Sequence, residues 1–451
     1  MTGGVDTKHP EYTSELFAEW ELMRDAYRGE SAIKKRGERY LPAPSGFKHH
    51  DVPEIGQAMY AAYMKRARFP EILSSAIRGM VGIAHGQEWQ IELPAALMPL
   101  WENSDGRGLP LEALSKRVTT ELLLTGRYSL MADAPASGGD IYLVGYTAEQ
   151  TINWSEDDDF YALQEVIYAR HGFVWNQVVK TRILELVEGR YVQRVYHDGA
   201  LIEEYEPRAR GGAVLDMIPL TVGGAMDLDL TPDTPPLIGV SRAAVAHYQI
   251  NADYRFQLYM SGQETLVLHN VEDPPRVVGA GVVLTLQAAS EGKDTRAEYI
   301  GPSGVGLEAH VTAMEREQQA AVRSGAQLFD NSPRAQESGE ARRLRFSAET
   351  ATLSSIVNAS AQILERTLKQ AAIMAGANPD ECVVAPPQNL LEGRLEPQEV
   401  QALVTAWKEG AFGFPTLYEN LQRGRIASPE RTWEEEERLI DADPPGSGDL
   451  I

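Results

Sequence analysis

Residues 238–260 read IGVSRAAVAHYQINADYRFQLYM, and residues 340–375 read EARRLRFSAETATLSSIVNASAQILERTLKQAAIMA. In the first stretch, apolar side chains recur at spacings of about three and four, which predicts an amphipathic helix. The second stretch has no Pro or Gly over roughly 36 residues, which gives a helix of about 54 Å at ~1.5 Å per residue. Because that length exceeds the width of a typical domain, we expect this helix to support something larger than one active-site pocket.

The chain between these two stretches predicts a small β module, a returning helix and a polar loop. Apolar and β-branched runs predict short strands at Thr265–His269, Val282–Leu286 and Ala297–Ile300. A second apolar stripe at helical spacing then extends over Leu307–Leu328. The polar segment Asp330–Gly339 separates this helix from the long one, since Pro333 stops a helix and Gly339 permits a sharp turn. Two helices that flank one compact module are expected to bring their ends close together.

The first 236 residues predict a helical part that is followed by an antiparallel sheet, so the predicted fold class is α+β. Apolar periodicity predicts helices at Tyr12–Arg28, Met59–Val81 with a break at Phe69-Pro70, and Leu111–Leu124. The pattern then becomes that of strands, at Tyr128–Ala132, Ile141–Tyr146, Tyr161–Arg170, Arg182–Val187, Tyr191–Tyr196 and Leu201–Tyr205. Glu188–Arg190 and His197–Gly199 carry turn signals that predict hairpins. The Pro- and Asp-rich segment Asp227–Pro236 is predicted to be a boundary.

The composition bounds the size and class of the molecule. At 451 residues the chain is expected to contain two or three folding units, because single cores rarely exceed about 250–300 residues. Its 43% hydrophobic content supports a packed globular protein, and it has no run of about 18 apolar residues that would span a membrane. Met1–Pro10 is polar, so no signal peptide is expected there. The single cysteine, Cys382, excludes an intramolecular disulfide, fits a reducing cytosol and is interpreted as structural.

The formal net charge of the chain is −23, from 65 acidic and 42 basic residues. Such a surface repels phosphates, which disfavours DNA recognition through Lys and Arg contacts. Two interpretations stay open for the charge. One is solubility, and the other is a surface that lies near nucleic acid without adhering to it.

The sequence contains no motif of a known catalytic site. It has neither a G-x-x-x-x-G-K-[S/T] phosphate loop nor a G-x-S-x-G nucleophile elbow. Gly301–Gly306 has the wrong spacing for a dinucleotide site and is interpreted as a turn. Asp227–Asp233 places oxygen donors at alternate positions, as a calcium loop does, but Pro232 stands where that loop needs Gly. Asp157–Asp159 is interpreted as a turn cap. We therefore predict no catalytic residue, no metal site and no cofactor.

A basic cluster opens the longest predicted helix, at Arg342, Arg343 and Arg345. Cations at a helix N-terminus oppose the macrodipole and cost about 0.3–1 kcal/mol each when they are exposed. The stability of the helix therefore does not explain them. Two interpretations remain open, namely salt bridges, including pairs with acidic residues of another subunit, and contacts with DNA.

The order of predicted elements resembles that of the portal proteins of tailed bacteriophages, whose parts are named wing, stem, clip, second stem helix, tunnel loop, spine helix and crown. Local sequence also resembles the first stem helix and the entry to the spine, at Ile238–Ser241, Asn251–Tyr254 and Ser338–Leu344. Other segments resemble a short portal-like family known only as a domain of unknown function, at Val5–Pro10, Met23–Asp25, Gly37–Pro42, Tyr60–Tyr63, Arg66–Phe69, Ile152–Trp154, Leu421–Gly424 and Glu434–Glu436. The chain departs from that family at Phe412–Pro415, where a more polar turn is expected.

The resemblance implies a division of the chain into portal parts. These parts are a wing at 1–236 with its sheet from about 128, a first stem helix at 237–263, a clip at 264–305, a second stem helix at 306–329, a tunnel loop at 330–339, a spine helix at 340–376 and a C-terminal wing or crown segment at 377–451.

The resemblance also implies a function. Portal subunits form a ring, usually of twelve copies, at one capsid vertex of the virion, and the ring is assembled in the cytoplasm of the bacterial host. Double-stranded DNA passes non-specifically through its channel during packaging and ejection, and the chain itself hydrolyses nothing. The implied partners are further copies of the chain, the large terminase subunit, the major capsid and scaffolding proteins and the tail adaptor. No membrane is implied.

The implied site residues lie in and just after the tunnel loop. The loop residues expected to face the channel are Asn331, Ser332, Pro333, Arg334, Gln336 and Ser338. The arginines at 342, 343 and 345 are expected to contact DNA or a neighbouring subunit. Two alternatives stay open, namely another structural protein of a phage head or connector, and a nucleic-acid-processing enzyme.

Overall fold

The structure is a computed structural model. It describes residues 4–135, 139–262, 265–273, 286–290, 292–301, 306–326, 339–387, 390, 397–423, 426–428 and 431–442, with the backbone alone at 265, 339–350, 397–399 and 423. The chain forms two compact units, Met1–Pro386 and Pro387–Ile451.

The helices of the first unit begin and end where local chemistry dictates. They are α1 Ser14–Arg28, α2 Glu30–Lys35, α3 Ser45–Lys48, α4 Pro53–Arg66, α5 Ile72–Ala84, α6 Leu111–Thr125, α7 Ile238–Ser261, α8 Leu307–Ala321 and α9 Gly339–Ala375. Thr13 caps α1, since its side chain accepts a hydrogen bond from the Leu16 N–H at 3.2 Å. Gly126 ends α6 at a φ of +74°, which glycine adopts without a Cβ clash. Of the helices described, none is long and apolar enough to cross a membrane.

The strands pair only in antiparallel fashion within the described part of the chain, which confirms the predicted α+β class. They are β1 Gln90–Glu92, β2 Arg127–Asp133, β3 Tyr142–Thr147, β4 Thr151–Trp154, β5 Phe160–His171, β6 Val174–Val187, β7 Arg190–His197, β8 Ala200–Tyr205, β9 Leu220–Gly224, β10 Thr265–His269, β11 Arg296–Ile300 and β12 Val383–Ala385. A five-stranded sheet has the order β4-β5-β6-β7-β8, and a three-stranded sheet has the order β3-β2-β9. Two further pairs are β1-β12 and β10-β11.

The two predicted hairpin turns of the five-stranded sheet are confirmed. Glu188 and Gly189 connect β6 to β7 at φ values of +51° and +71°, and Asp198 and Gly199 connect β7 to β8 at +50° and +77°. Two successive residues with positive φ make the tight turn whose twist matches that of paired strands. Glycine at the second position adopts a positive φ without a Cβ clash. These two-residue turns therefore form readily, and they fix which residues of the two strands pair.

The core of the first unit lies where the long helix α9 crosses the three-stranded sheet. β2 is buried along its whole length, and α9 packs against β2, β9 and α6. Polar side chains inside this core find partners: the Ser360 and Thr119 hydroxyls are 2.9 Å apart, and the Thr221 hydroxyl donates to the Gln370 side-chain oxygen at 3.2 Å. The second half of α9 is therefore an internal element of this unit.

Several boundaries differ from the sequence prediction. The predicted break at Phe69-Pro70 is confirmed, because it lies between α4 and α5. The first of these helices begins at Pro53, before the predicted Met59, and ends at Arg66, after which Ala67 is non-helical. β6 begins at Val174, eight residues before the predicted start, and the short strands β1, β4, β9 and β12 were not predicted. The returning helix α8 ends at Ala321 and passes into a π-helical turn, within which Gly325 has a φ of +132°. The predicted strand Val282–Leu286 lies outside the described residues except for Leu286.

The described residues of the second unit form three helices, α10 Pro397–Lys408, α11 Phe414–Arg423 and α12 Trp433–Ala442. The rings of Trp407 and Phe414 lie 5.9 Å apart and join α10 to α11. The Gln422 side-chain amide donates to the backbone oxygens of Ser428 and Arg431, at 3.0 and 2.7 Å, and so orders the chain between α11 and α12. The first turn of α12 contains Glu434, Glu435 and Glu436, whose carboxylates interact favourably with the helix dipole.

Candidate functional site

Helices α7 and α8 together with strands β10 and β11 form a continuous structure that we call the two-helix module. The helices run antiparallel, because their opposite ends meet. A Cβ built on Gly239, in the first turn of α7, would lie 2.7 Å from the Ser324 side chain just after α8. At the other end, a Cβ on Gly306 would lie 3.6 Å from the Gln257 side chain of α7. The predicted proximity of the two helix ends is confirmed.

Burial changes sharply along the two-helix module. The buried residues of α7 all fall between Ile238 and Ala252, and its last turns expose Leu258, Tyr259 and Met260. In α8 only Ala321 is buried, and Val311 near the middle of the helix is 38% exposed. An amphipathic helix with so little covered surface is stabilised by a partner outside the subunit or faces solvent. The module is therefore anchored at one end and uncovered at the other.

Polar contacts fix the anchored end of the module to the N-terminal helices. The Asn251 side-chain oxygen accepts hydrogen bonds from the Arg68 N–H at 2.8 Å and from Arg255 Nε at 2.9 Å. Two residues further along α7, Asp253 accepts a hydrogen bond from the Tyr63 hydroxyl at 2.5 Å. Burial, and then the Asp253 carboxylate, raise the pKa of Tyr63 well above its ordinary value, so this hydroxyl stays a donor. These contacts give α7 a defined direction relative to α4.

The uncovered end of the module carries the two-stranded pair β10-β11. Thr265 pairs with Ile300 and His269 with Arg296, which brings both strand ends next to the helix ends. A His269 ring nitrogen lies 2.7 Å from a Glu298 carboxylate oxygen. The Asn270 side-chain amide donates to Ser290 O and Lys293 O, each at 3.1 Å, so a single amide orders the chain that returns to β11. The predicted β insert between two helices is confirmed for its first and last strands.

The predicted site residues fall in segments whose side chains the structure does not describe. Asn331, Ser332, Pro333, Arg334, Gln336 and Ser338 lie outside the described residues. Arg342, Arg343 and Arg345 lie in the first turns of α9, where the backbone alone is described. Their predicted roles in the channel and in DNA or inter-subunit contacts stay predictions.

The acidic segments considered as metal sites form turns. Asp227 accepts a hydrogen bond from the Asp229 N–H at 3.0 Å, and Asp229 accepts one from the Thr231 N–H at 3.2 Å. Burial, with Asp227 and Asp229 adding to it, raises the pKa of the Asp233 carboxyl. Asp158 pairs with Arg366 at 3.2 Å and accepts a hydrogen bond from Tyr161. In the part of the chain that the structure describes, no three His, Cys, Asp or Glu side chains are arranged to hold a metal ion.

Cys382 is buried beside α9. Its Sγ lies 3.5 Å from the Leu368 carbonyl oxygen, and burial raises the pKa of the thiol to about 11. A thiol with a raised pKa carries almost no thiolate at neutral pH and is a poor nucleophile. The structure supports the interpretation of Cys382 as a structural residue.

Sequence reasoning missed a buried charge network in the helical part. Arg24 binds two carboxylates, Glu121 and Glu149, each at 2.7 Å. It follows Trp20 by four residues, so it shares the buried face of α1, where Trp20 Nε1 donates to Thr125 O at 3.0 Å. A charged residue in the apolar stripe of a predicted helix is the signal that could have identified it.

An acid-lined cavity of about 400 Å³ lies beside the start of the five-stranded sheet. Its lining residues are His9, Glu11, Trp154, Glu156, Asp158, Leu228, Asp229, Leu230 and Thr231. The Trp154 ring forms one wall of the cavity and is held in place by two neighbours. The His9 ring stacks on it at 4.0 Å, and the Arg127 guanidinium lies 4.0 Å from the centre of the same Trp154 ring. Burial lowers the pKa of Arg127 to about 10. The cavity thus combines an aromatic wall with four carboxylate-bearing residues.

Comparison with known proteins agrees with part of the sequence interpretation. Residues 236–374 match the family described as Domain of unknown function (DUF4055), which confirms the predicted resemblance to such a family over this segment. No curated protein matches the chain.

Among solved structures, the chain is similar to a chain from the neck of a native GTA particle computed with C12 symmetry, with 14% identity, a TM-score of 0.43 and coverage of 78% of this chain and 89% of that chain. It is also similar to a chain from the virion of a native gene transfer agent (GTA) particle, with 14% identity, a TM-score of 0.42 and coverage of 85% and 93%. A third similar chain belongs to the neck of an empty GTA particle computed with C6 symmetry, with 13% identity, a TM-score of 0.43 and coverage of 88% and 99%. At this identity and TM-score, the likenesses carry no inference about activity.

Proposed function

We propose that this chain is a portal protein, a subunit of a ring of about twelve copies that lies at one vertex of a phage-type capsid and forms the channel for DNA. One observation carries the proposal, namely the way the two-helix module is attached to the rest of the first unit, which we call the body. The two antiparallel helices leave the body and bear a two-stranded pair at their far end. The chain then returns to a helix of 37 residues that enters the core of the body. This arrangement supports the portal resemblance drawn from the sequence.

The uncovered surface of the two-helix module supports self-association. The subunit exposes Val311 of α8 and, in the last turns of α7, Leu258, Tyr259 and Met260. Leaving these apolar side chains in water costs about 25 cal/mol per Å² of apolar area. In a closed ring, α7 of one copy and α8 of the next would cover one another. The buried first half of α7 would keep each module at the same angle to its body.

The charge of the chain supports a channel through which DNA slides. Glu308 and Glu315 are exposed on α8, and twelve copies of a chain at −23 form a strongly acidic ring. Carboxylates near the channel wall would repel phosphates and prevent DNA from adhering. Screening limits this repulsion to about 8 Å at physiological salt, so only wall residues matter for the moving duplex.

Each part of the chain has a proposed role within the ring. The pair β10-β11 and the chain around it would be the clip that meets the large terminase subunit during packaging and the tail adaptor afterwards. The segment 330–339 would be the tunnel loop, with Arg334 as the side chain best suited to touch a phosphate. The body would contact capsid and scaffolding proteins. Nothing in these roles requires the chain to catalyse a reaction.

The shape of the purified assembly tests the proposal. End-on views in negative stain are expected to show a closed ring with an axial pore. Light scattering that gives a stable monomer at micromolar concentration and above would contradict it.

Two deletions test the roles of the module's parts. Replacing residues 264–299 with a short Gly/Ser turn is expected to leave the body folded and to abolish terminase binding, and normal binding would remove the clip assignment. Deleting residues 333–336 is expected to leave the ring intact and to impair packaging or retention of DNA, and normal packaging would place this loop outside the channel.

A further inference from the structure

The far end of the β5-β6 hairpin is an uncovered ribbon of unusual composition. We propose that the tip of this ribbon docks into the acid-lined cavity of a neighbouring copy of the same chain. The proposal rests on the proposed ring and names one of its subunit contacts. It joins two surfaces that the function described above leaves unused.

The ribbon extends beyond the rest of its sheet. β4 pairs with β5 only as far as Leu163, and β7 pairs with β6 only from Lys180 onward. Residues 166–171 therefore pair solely with residues 174–179 among the described strands. A two-stranded hairpin without a third strand or a covering helix is at best marginally stable in water. The ribbon gains stability if another surface covers it.

The side chains of the ribbon are those of a docking surface. Tyr168 is 66% exposed, Trp175 is 62% exposed, and Phe173 in the turn is fully exposed. Val166 and Val179 face one another across the strands and are also exposed. Aromatic side chains clustered at a protruding tip are typical of anchors at protein interfaces.

The charge of the ribbon indicates what covers it. From Val166 to Thr181 the sequence contains Arg170, His171 and Lys180 and no carboxylate, in a chain whose net charge is −23. Neither Arg170 nor Lys180 has an ion-pair partner among the described residues. A basic and aromatic surface on an acidic protein is complementary to the protein's own acidic surface, and hence to a second copy.

The acid-lined cavity has the complementary features. Glu11, Glu156, Asp158 and Asp229 supply carboxylates, while Trp154, Leu228 and Leu230 supply apolar surface. Asp158 pairs with Arg366, and Glu11 lies 3.8 Å from the His9 ring, so Glu156 and Asp229 are the carboxylates available to Arg170 of a neighbour. A volume of about 400 Å³ falls within the range of about 300–1,000 Å³ that accommodates ligand-sized groups such as an aromatic side chain.

The geometry requires the two surfaces to belong to different copies. The cavity lies at Trp154–Asp158, next to Phe160 where β5 begins, and the tip lies where β5 ends at His171. At about 3.3 Å per residue, these ends are roughly 36 Å apart along one strand. A surface at one end of a strand that fits a surface at the other end gives a head-to-tail contact. Repetition of such a contact closes a ring when the rotation between neighbours divides a full turn, as the proposed ring requires.

A mixing experiment tests this contact. The tip variant carries Phe173→Ser and Arg170→Glu, and the cavity variant carries Glu156→Lys and Asp229→Lys. Each variant alone is expected to require a protein concentration at least tenfold higher than the wild type does before it assembles. A one-to-one mixture retains one intact tip and one intact cavity, so it is expected to form heterodimers of about 100 kDa from subunits of 49.7 kDa. Arg107→Glu, an exposed charge reversal elsewhere, is the matched control and is expected to assemble as wild type does.

The outcomes separate this contact from the proposed function. If both variants form rings as the wild type does, the proposed contact is wrong and the portal proposal stays intact. Variants that fail to assemble, and whose mixture yields no heterodimer, would also overturn it. A wild-type chain that stays monomeric would overturn the portal proposal itself. Thermal melting of each variant checks that the subunit remains folded.

Cysteine cross-linking gives an independent readout if either variant unfolds. Phe173→Cys and Leu228→Cys chains, mixed and oxidised, are expected to give a dimer band in denaturing gels that neither gives alone. The native Cys382 is buried and does not compete. Equal cross-linking by Phe173→Cys alone would indicate a tip-to-tip contact and overturn the proposal.

Discussion

The helices α8 and α9 follow one another in the chain, yet they differ in how their surfaces are used. From Leu353 to Met374, α9 is packed inside the body, whereas α8 has a single buried residue. The body is the first unit without the two-helix module. The comparison shows that apolar periodicity identifies a helix but not what covers its apolar face. In the body the subunit covers its own helices, whereas in the module α7 and α8 pack mainly against each other and leave Leu258, Tyr259 and Val311 exposed.

The largest effect on stability is expected for the buried charge network of the body. Arg24→Ala leaves Glu121 and Glu149 without their cation in a largely buried site, which costs about 3–5 kcal/mol. Lys48→Ala removes an exposed pair with Glu38 and is expected to cost no more than about 1 kcal/mol. Urea unfolding of both variants measures the free energies. Equal values would show that the Arg24 network contributes no more than a surface pair.

A smaller effect is expected for a packing change in α9. Leu368 is fully buried, so Leu368→Ala leaves a cavity and is expected to reduce the free energy of unfolding by about 2–5 kcal/mol. The matched control is Leu258→Ala in α7, because Leu258 is 47% exposed in the module. That change is expected to cost less than about 1 kcal/mol in the isolated subunit. Similar losses at both positions would erase the contrast between body and module.

A pH effect of intermediate size is expected from His85 in the body. Burial, with Lys116 adding to it, lowers the pKa of His85 to about 4 from an ordinary value of 6.5, and the ring stacks on Trp89 at 4.7 Å. Because the folded state favours the neutral ring, the contribution is fully present above pH 6.5 and is lost as pH falls toward 4. A shift of this size corresponds to about 3 kcal/mol, and solvent screening of the partly exposed ring reduces the expected loss to roughly 2 kcal/mol.

The variant His85→Gln isolates this effect, since glutamine does not titrate and can bond Thr119, which lies 3.0 Å from the His85 ring. Its free energy of unfolding is expected to change less between pH 6.5 and pH 4 than that of the wild type. Parallel curves for the two proteins would contradict the assignment of this dependence to His85.

The smallest effect on folding is expected in the module itself. Val311→Glu changes an exposed residue of α8 and is expected to alter the free energy of unfolding of the subunit by within about 0.5 kcal/mol. The same change is expected to weaken ring formation, because it places a charge in the surface that a neighbour covers. Urea unfolding measures the effect on the subunit, and analytical ultracentrifugation measures the effect on assembly. A destabilised subunit with unchanged assembly would reverse the proposed roles of body and module.

The sequence predicted those elements whose pattern is long or whose turn is specific. α7, α9 and the hairpins at Gly189 and Gly199 were predicted because periodicity and glycine position determine them locally. The strands β4 and β9 were missed, since each has five residues or fewer and is defined by its partners in the sheet. The start of β6 was missed because residues Val174–Lys180 are mostly exposed on both faces of the strand. Their sequence therefore lacks the alternation of apolar and polar side chains that identifies a half-buried strand.

The candidate site was predictable only in outline. The pair of helices with a β insert follows from the element order, but the cavity does not, because its lining comes from three distant segments near residues 9, 154 and 229. The basic and aromatic tip at 170–175 is visible in the sequence as a carboxylate-free stretch in an acidic chain. Its exposure follows from strand register, which single-sequence patterns do not fix.

The mass of the purified chain, measured by native mass spectrometry at micromolar concentration, decides whether it forms the proposed ring. We expect a dominant species near 600 kDa, which corresponds to about twelve copies of a 49.7 kDa subunit. A dominant species at the mass of one or two subunits under the same conditions would contradict it.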